Sequence, residues 1–143
     1  MTPALPDILR GNFLCLAVPS PPEQQGEFMA TRVGVIALLS LLAAQEVERG
    51  TTARVWENAA IATVLADAAE IYGVQFAELA DTTATDLSLA ALDTANAALR
   101  RGLIALHEAV ESAQDLPRHR TIVALYSQMA EIRRLDLPPL PAR

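Results

Sequence analysis

The stretch from Leu89 to Ala113 carries apolar side chains, with one exception, at alternating steps of three and four residues. This spacing places them in one stripe along a single helix. A second row of small residues runs beside the stripe, and a polar strip that repeats every seven residues completes the circumference. Two apolar sides and one narrow polar edge predict a helix with neighbours on two sides. The stripe consists of Leu89, Leu92, Asn96, Leu99, Leu103, Leu106, Val110 and Ala113.

Composition favours helices in the rest of the chain as well. The 143 residues are 52% apolar but only 4% aromatic, so most of the apolar content is alanine and leucine. These two are strong helix formers, whereas strands favour β-branched and aromatic residues. A chain of this length forms one domain that buries about 68–70% of the surface exposed in its unfolded state. We therefore expect a single all-α domain.

Charge and cysteine content exclude some classes of partner. The formal net charge is −6 and every basic residue is arginine. Because phosphate repels an acidic domain, we expect no nucleic-acid partner. The single cysteine, Cys15, excludes an internal disulfide and a cysteine-based metal site. A lysine-free chain rich in alanine and arginine is typical of a GC-rich coding sequence and indicates a bacterial source.

The chain shows no clear membrane or export signal. Its longest charge-free run, Val33 to Gln45, is too short to cross a bilayer and is typical of a buried core helix. No signal peptide begins at Met1, because Asp7 and Arg10 precede only a short apolar run. If translation began at Met29, the following residues would resemble an export signal, and this alternative stays open. We expect a cytoplasmic protein with no membrane partner.

Capping residues and glycines divide the chain into four predicted helices. The sequence Ser20-Pro21-Pro22-Glu23 is typical of a helix start. Gly50 and Gly73 are each placed to end a helix, and Pro117 begins the last helix after a short link. Short links force antiparallel neighbours. We predict an up-down four-helix bundle within residues 20–136, with helices near 21–49, 52–72, 84–113 and 117–135.

Both ends of the chain are predicted to lie outside the helices. Residues 1–19 contain three prolines and no sustained period, so we expect an irregular, proline-rich N-terminal arm. Residues 137–143 are also rich in proline and should form an extended C-terminal tail. The composition of this tail is also typical of a proline-rich peptide that docks to another protein. We favour the alternative, in which the tail folds back along the bundle.

Excess apolar surface predicts a homo-oligomer, most simply a twofold dimer. The first predicted helix is apolar all round from Val33 to Ala44, and exposing it would create a patch larger than soluble monomers tolerate. Pairing two copies in an isologous contact is the commonest solution. As an alternative, the N-terminal arm covers this face with Phe13, Leu14 and Leu16. The predicted interface consists of Val35, Leu38, Leu39, Leu41 and Leu42.

Asn96 is the polar exception in the stripe. One interpretation is an asparagine that sets the register of a helix pair, facing its own copy in a dimer. The other is an asparagine at the edge of the stripe, rotated outward by helix drift and bonded to a neighbouring helix. The second interpretation is favoured.

We predict no metal site and no bound cofactor. His107 and Glu111 lie one helical turn apart, which is half of a metal site, but the chain has no Glu-x-x-His motif. His119, the other histidine, is flanked by Arg118 and Arg120, and arginines repel cations. His107 also lacks the neighbouring residues that are typical of a phospho-accepting histidine.

No catalytic motif is found, since the chain has no glycine-rich phosphate loop, no nucleophile elbow and no Cys/His set. We therefore predict a non-catalytic helical interaction module: an adaptor, regulatory or assembly subunit that binds its own copy or another protein. The alternative is a helical bundle that binds a small ligand or is an enzyme, with a pocket between helices. Its predicted lining is Trp56, Tyr72 and Tyr126.

Overall fold

The computed structural model of the chain describes residues 25–81 and 86–137, and five positions near the N-terminus: Leu5, Ile8, Leu9, Gly11 and Asn12. The predicted all-α helical bundle is confirmed, since residues 25–81 and 86–137 hold four helices and no strand. In that part of the chain no helix combines the length and the apolar character that crossing a membrane requires. The helices are α1 (Gln25–Tyr72), α2 (Gln75–Ala80), α3 (Leu89–Ser112) and α4 (Leu116–Ile132).

No helix ends at Gly50, although the sequence predicted a helix end there. α1 is one helix of 48 residues, where the sequence predicted separate helices at 21–49 and 52–72. Gly50 is buried and helical. A glycine inside a helix costs only about 1 kcal/mol relative to alanine, which continued helical hydrogen bonding offsets.

Gly73 ends α1 as the sequence predicted. Its φ is +123°, a conformation that side chains rarely adopt, and its N–H donates to the carbonyl of Ala69 at 2.9 Å. This bond satisfies one of the carbonyls that the end of the helix leaves unpaired.

The chain divides into two compact units. The first comprises residues 1–50 and 135–143, and the second comprises residues 51–134. In the first unit, the side chain of Gln45 donates to the carbonyl of Asp136 and accepts from its N–H, each at 2.8 Å. The carboxylate of Asp136 also pairs with Arg49 at 3.3 Å. The predicted N-terminal arm comprises residues 1–19, and most of it lies outside the described residues. Residues 138–143 of the predicted C-terminal tail also lie outside them.

The second unit encloses the hydrophobic core. Ser88 caps α3 by accepting from the N–H of Ala91 at 3.3 Å, and Asp115 caps α4 by accepting from the N–H of Arg118 at 3.2 Å. Pro117 lies in the first turn of α4, as predicted. The core is built from one face of each helix: Ile61, Leu65, Ala68, Phe76, Leu99, Leu103, Leu106, Val110, Ile122, Leu125 and Met129.

Within the second unit, α3 and α4 form an antiparallel hairpin. His107 near the end of α3 lies beside His119 near the beginning of α4, with ring centroids 5.0 Å apart. At the other end of the hairpin, Arg100 of α3 and Arg133 after α4 contact the same carboxylate. This is the arrangement that a short link between two helices forces.

The last part of α1 and α3 run in the same direction. Near the beginning of both, Arg54 pairs with Asp93 at 2.6 Å, and near the end of both, the Tyr72 hydroxyl donates to Asp115 at 3.0 Å. The predicted up-down order would make these neighbours antiparallel, so the structure differs from it here. The reason is the connection over residues 73–88, which contains α2 and is long enough to return the chain to the other end of the unit.

Candidate functional site

One face of α1 in the first unit is apolar and exposed. It follows the helical spacing of three and four residues, and we call it the apolar stripe. Leu38 and Leu41 keep 38% and 39% of their surface exposed. Residues 33–44 carry no charge, and the hydroxyl of Ser40 donates to the carbonyl of Ile36 at 2.8 Å. The apolar stripe consists of Gly34, Ala37, Leu38, Leu41 and Ala44.

The structure separates the predicted interface residues into two groups. Val35, Leu38 and Leu41 are exposed, whereas Leu39 and Leu42 are half-buried. Helical spacing explains the difference, because residues one position apart point in directions about 100° apart. A run that is apolar all round does not indicate which of its faces is covered.

The second unit contains a buried carboxylate that the sequence analysis did not single out. Glu57 is only 1% exposed. Its Oε1 accepts from Arg100 Nε at 2.7 Å and from Asn96 Nδ2 at 2.8 Å, and its Oε2 accepts from Arg133 Nε at 2.6 Å. Both carboxylate oxygens therefore have charged donors, which is what a buried charge requires.

The surroundings of Glu57 keep it ionised. Burial raises its pKa, but the hydrogen bonds from Arg100 and Asn96, with the charge and hydrogen bond of Arg133, lower it further than burial raises it. The net result is a pKa below the ordinary value of 4.5. A carboxylate held in this form is a structural anion rather than a general acid near neutral pH.

Asn96 donates hydrogen bonds to two residues of α1. It is 7% exposed, and Nδ2 donates both to Glu57 and to Asn58 Oδ1, each at 2.8 Å. Asn58 in turn donates to the carbonyl of Leu92 at 3.1 Å. Since both amide hydrogens of Asn96 are used by α1, the residue links two helices of one chain.

Three groups with metal-binding chemistry meet at the end of the α3–α4 hairpin. His107 Nε2 lies 3.0 Å from His119 Nδ1 and 3.6 Å from Glu111 Oε1. His119 Nδ1 lies 3.8 Å from the same oxygen of Glu111. The sequence identified His107 and Glu111 as half of a metal site and set His119 aside, whereas the hairpin brings all three together.

The three aromatic residues predicted to line a pocket are half-buried, and all of them pack against the core of the second unit. Tyr72 donates to Asp115, and burial and this bond raise its pKa. Tyr126 lies beside His107, with ring centroids 5.6 Å apart, and burial and the charge of Glu111 raise its pKa. Trp56 packs against the core of the second unit.

Two shallow clefts lie on the surface of the second unit. Neither is lined by Trp56, Tyr72 or Tyr126. One, of about 260 Å³, is lined by Val64, Asp67, Asp115, Pro117, Arg118 and Thr121. The other, of about 340 Å³, is lined by Gln75, Phe76, Leu79, Ala98, Arg101, Gly102 and Ala105.

Comparison with known proteins gives no family for this chain. No protein-family model, no curated protein and no solved structure matches it. Its function is therefore inferred from its own geometry and chemistry.

Proposed function

We propose that the chain is a non-catalytic interaction module that acts as a homodimer, joined through the apolar stripe of α1. The observation that carries this proposal is the exposure of Leu38 and Leu41 on a face with no charged residue. Contiguous exposed apolar surface of this kind marks an interaction site in soluble proteins. The role is that of an adaptor, regulatory or assembly subunit.

A second copy of the chain fits the apolar stripe better than a charged partner does. Each copy has a formal net charge of −6, so two copies repel each other unless their contact excludes charge. The apolar stripe meets this condition. Gly34, Ala37 and Ala44 are small and let two helices approach closely, while Leu38 and Leu41 fill the space between them. An isologous contact then buries the same face on both copies.

The proposed setting is the bacterial cytoplasm. The lysine-free composition supports a bacterial source. The single cysteine is compatible with a reducing compartment, where no disulfide is needed. A further protein partner would then bind a surface that the dimer contact leaves free.

Substitution within the apolar stripe tests the proposal. Leu41→Glu introduces one like charge per copy into the contact, so we expect the variant to be a folded monomer by light scattering. Ile104→Glu is the matched control, because Ile104 is also exposed, at 54%, but lies on α3. The control should keep the mass of the wild type. Equal masses for Leu41→Glu and the wild type, in folded protein, would contradict the proposed contact.

The N-terminal arm is the competing cover for the apolar stripe. Its apolar residues Phe13, Leu14 and Leu16 lie outside the described residues. Replacing all three with serine should leave the dimer intact if a second copy covers the apolar stripe. If the arm covers it instead, the wild type is already a monomer, and the serine variant associates or aggregates as the stripe becomes exposed.

A further inference from the structure

We propose that His107, Glu111 and His119 form a zinc site that joins α3 to α4. The inference goes beyond the proposed dimer, because all three residues belong to one chain and to the second unit, whereas the apolar stripe belongs to the first. His107 and Glu111 are separated by one turn of α3, and His119 comes from the beginning of α4. The zinc ion would therefore fasten the two sides of the hairpin.

The distances among the three donor atoms suit a single ion. A tetrahedral zinc ion with bonds of about 2.0–2.1 Å holds its ligand atoms roughly 3.3–3.4 Å apart. The separations here are 3.0 Å between the histidine nitrogens, and 3.6 Å and 3.8 Å from those nitrogens to Glu111 Oε1. These values lie on both sides of the ideal, so shifts of a few tenths of an ångström, within reach of side-chain rotation, bring all three atoms to bonding distance.

The chemistry of the donors selects zinc over the common hard cations. Two imidazole nitrogens and one carboxylate form the His₂Glu ligand set that holds zinc in several proteins, whereas Mg²⁺ and Ca²⁺ prefer oxygen ligands. Three protein ligands leave the fourth position for water. The side chains of Glu111 and His119 are 59% and 37% exposed, so water can reach that position.

The guanidinium of Arg118 contacts Asp115 and Tyr72. Its Nε lies 3.5 Å from the carboxylate of Asp115, and its guanidinium lies over the ring of Tyr72, 5.3 Å from the centroid. Asp115 therefore compensates the charge that, from the sequence alone, argued against a cation near His119. Adjacent residues on a helix point about 100° apart, so the exposed Arg120 also has a direction different from that of His119.

Calorimetric titration of the untagged full-length chain with zinc chloride tests the site. The wild type should bind one zinc ion per chain. Glu111→Gln and His119→Ala should each weaken binding at least about 100-fold, since even residues that only support a metal ligand contribute 10–100-fold. Glu108→Gln is the matched control, with the same charge change on the same helix, and should bind like the wild type. Because Glu111 is exposed, Glu111→Gln keeps the fold.

Two further measurements complete the test. Zinc at about 100 times its Kd should raise the Tm of the wild type by roughly 10 °C, and magnesium should not. The monomeric Leu41→Glu variant should bind zinc with unchanged affinity, which separates this site from the proposed dimer contact. Two results would contradict the proposed zinc site. One is that the wild type binds no zinc at a zinc concentration of about 100 µM. The other is that Glu111→Gln or His119→Ala binds zinc as tightly as the wild type does.

Discussion

Glu57 Oε2 and Arg133 Nε lie 2.6 Å apart, although 76 positions separate the two residues in the chain. Glu57 lies on α1 and Arg133 follows the last residue of α4. The other oxygen of the same carboxylate holds Arg100 and Asn96 of α3. One buried anion therefore ties together the three longest helical segments of the second unit.

Removing this anion should strongly destabilise the second unit. Glu57→Gln leaves Arg100 and Arg133 without their countercharge. Breaking a fully buried pair costs about 3–5 kcal/mol. Because the side chains of Arg100 and Arg133 are 40% and 18% exposed and can be hydrated, we expect a loss of roughly 2–3 kcal/mol. Urea unfolding followed by circular dichroism measures the loss. The control is Glu131→Gln, which breaks an exposed pair with Arg134 whose side chains are both 66% exposed, and should cost less than about 1 kcal/mol. Similar losses for the two variants would contradict the role assigned to Glu57.

The same carboxylate predicts a dependence of stability on pH. The pKa of Glu57 is lower in the folded state than its ordinary value of 4.5, so the unfolded chain takes up this proton more readily. The contribution of Glu57 is therefore fully present above about pH 4.5 and is lost as the pH falls through the folded-state pKa. The stability gap between the wild type and Glu57→Gln should narrow from pH 7 to pH 3.5. A gap that stays constant over that range would show that the ionisation of Glu57 does not stabilise the fold.

The conformation of Gly73 predicts a position-specific effect of alanine. At φ +123° an alanine side chain is strained, so Gly73→Ala should destabilise the fold by about 1–2 kcal/mol. Gly102→Ala is the matched control on α3. There the added Cβ meets the methyl ends of the Leu79 and Leu65 side chains at 2.8 Å and 3.3 Å, and the gain in helix propensity opposes this crowding. Its effect should stay within about 1 kcal/mol, and the reverse order of the two effects would contradict the backbone conformation.

Asp115 has a capping role and a charge role, which a pair of substitutions separates. Its carboxylate caps α4 at the N–H of Arg118 and accepts the hydrogen bond of Tyr72, and its charge pairs with the Arg118 side chain at 3.5 Å. Asp115→Ala removes all three contacts and should cost about 1–2 kcal/mol in thermal or urea unfolding. Asp115→Asn keeps an oxygen acceptor for the cap and should cost less than half as much. Equal costs for the two variants would indicate that the charge, and not the cap, is what stabilises the helix start.

Periodicity in the sequence predicts most of the core of the second unit. In the stripe of α3, the residues from Leu92 to Val110 are buried at the expected steps, and in α4 Ile122, Leu125 and Met129 form the buried face. These faces depend only on the helical repeat, which a sequence displays directly. Gly50 is the counterexample. A glycine followed by Thr51 and Thr52 is typical of a helix end, but it is also compatible with a helix interior, because each of these residues costs only about 1 kcal/mol or less relative to alanine.

Contacts between distant residues were harder to predict. Glu57 lies one helical turn before Ile61, on the apolar face of α1, and a charged residue in that register indicates a buried partner. Which partner it has depends on the parallel packing of α1 and α3, which the predicted up-down order excluded. The contact between the two histidines was easier to predict from the sequence. His107 and His119 stand six positions on either side of Ala113, in the short link, so an antiparallel hairpin places them opposite each other.

The mass of the wild-type chain in solution tests the proposed function most directly. Light scattering on micromolar protein should give twice the chain mass of 15.3 kDa, because two copies bury the apolar stripe against each other. Dilution should shift that mass toward one chain only below the dissociation constant of the dimer. A mass of 15.3 kDa at all concentrations up to the millimolar range would show that the apolar stripe of α1 does not pair two copies.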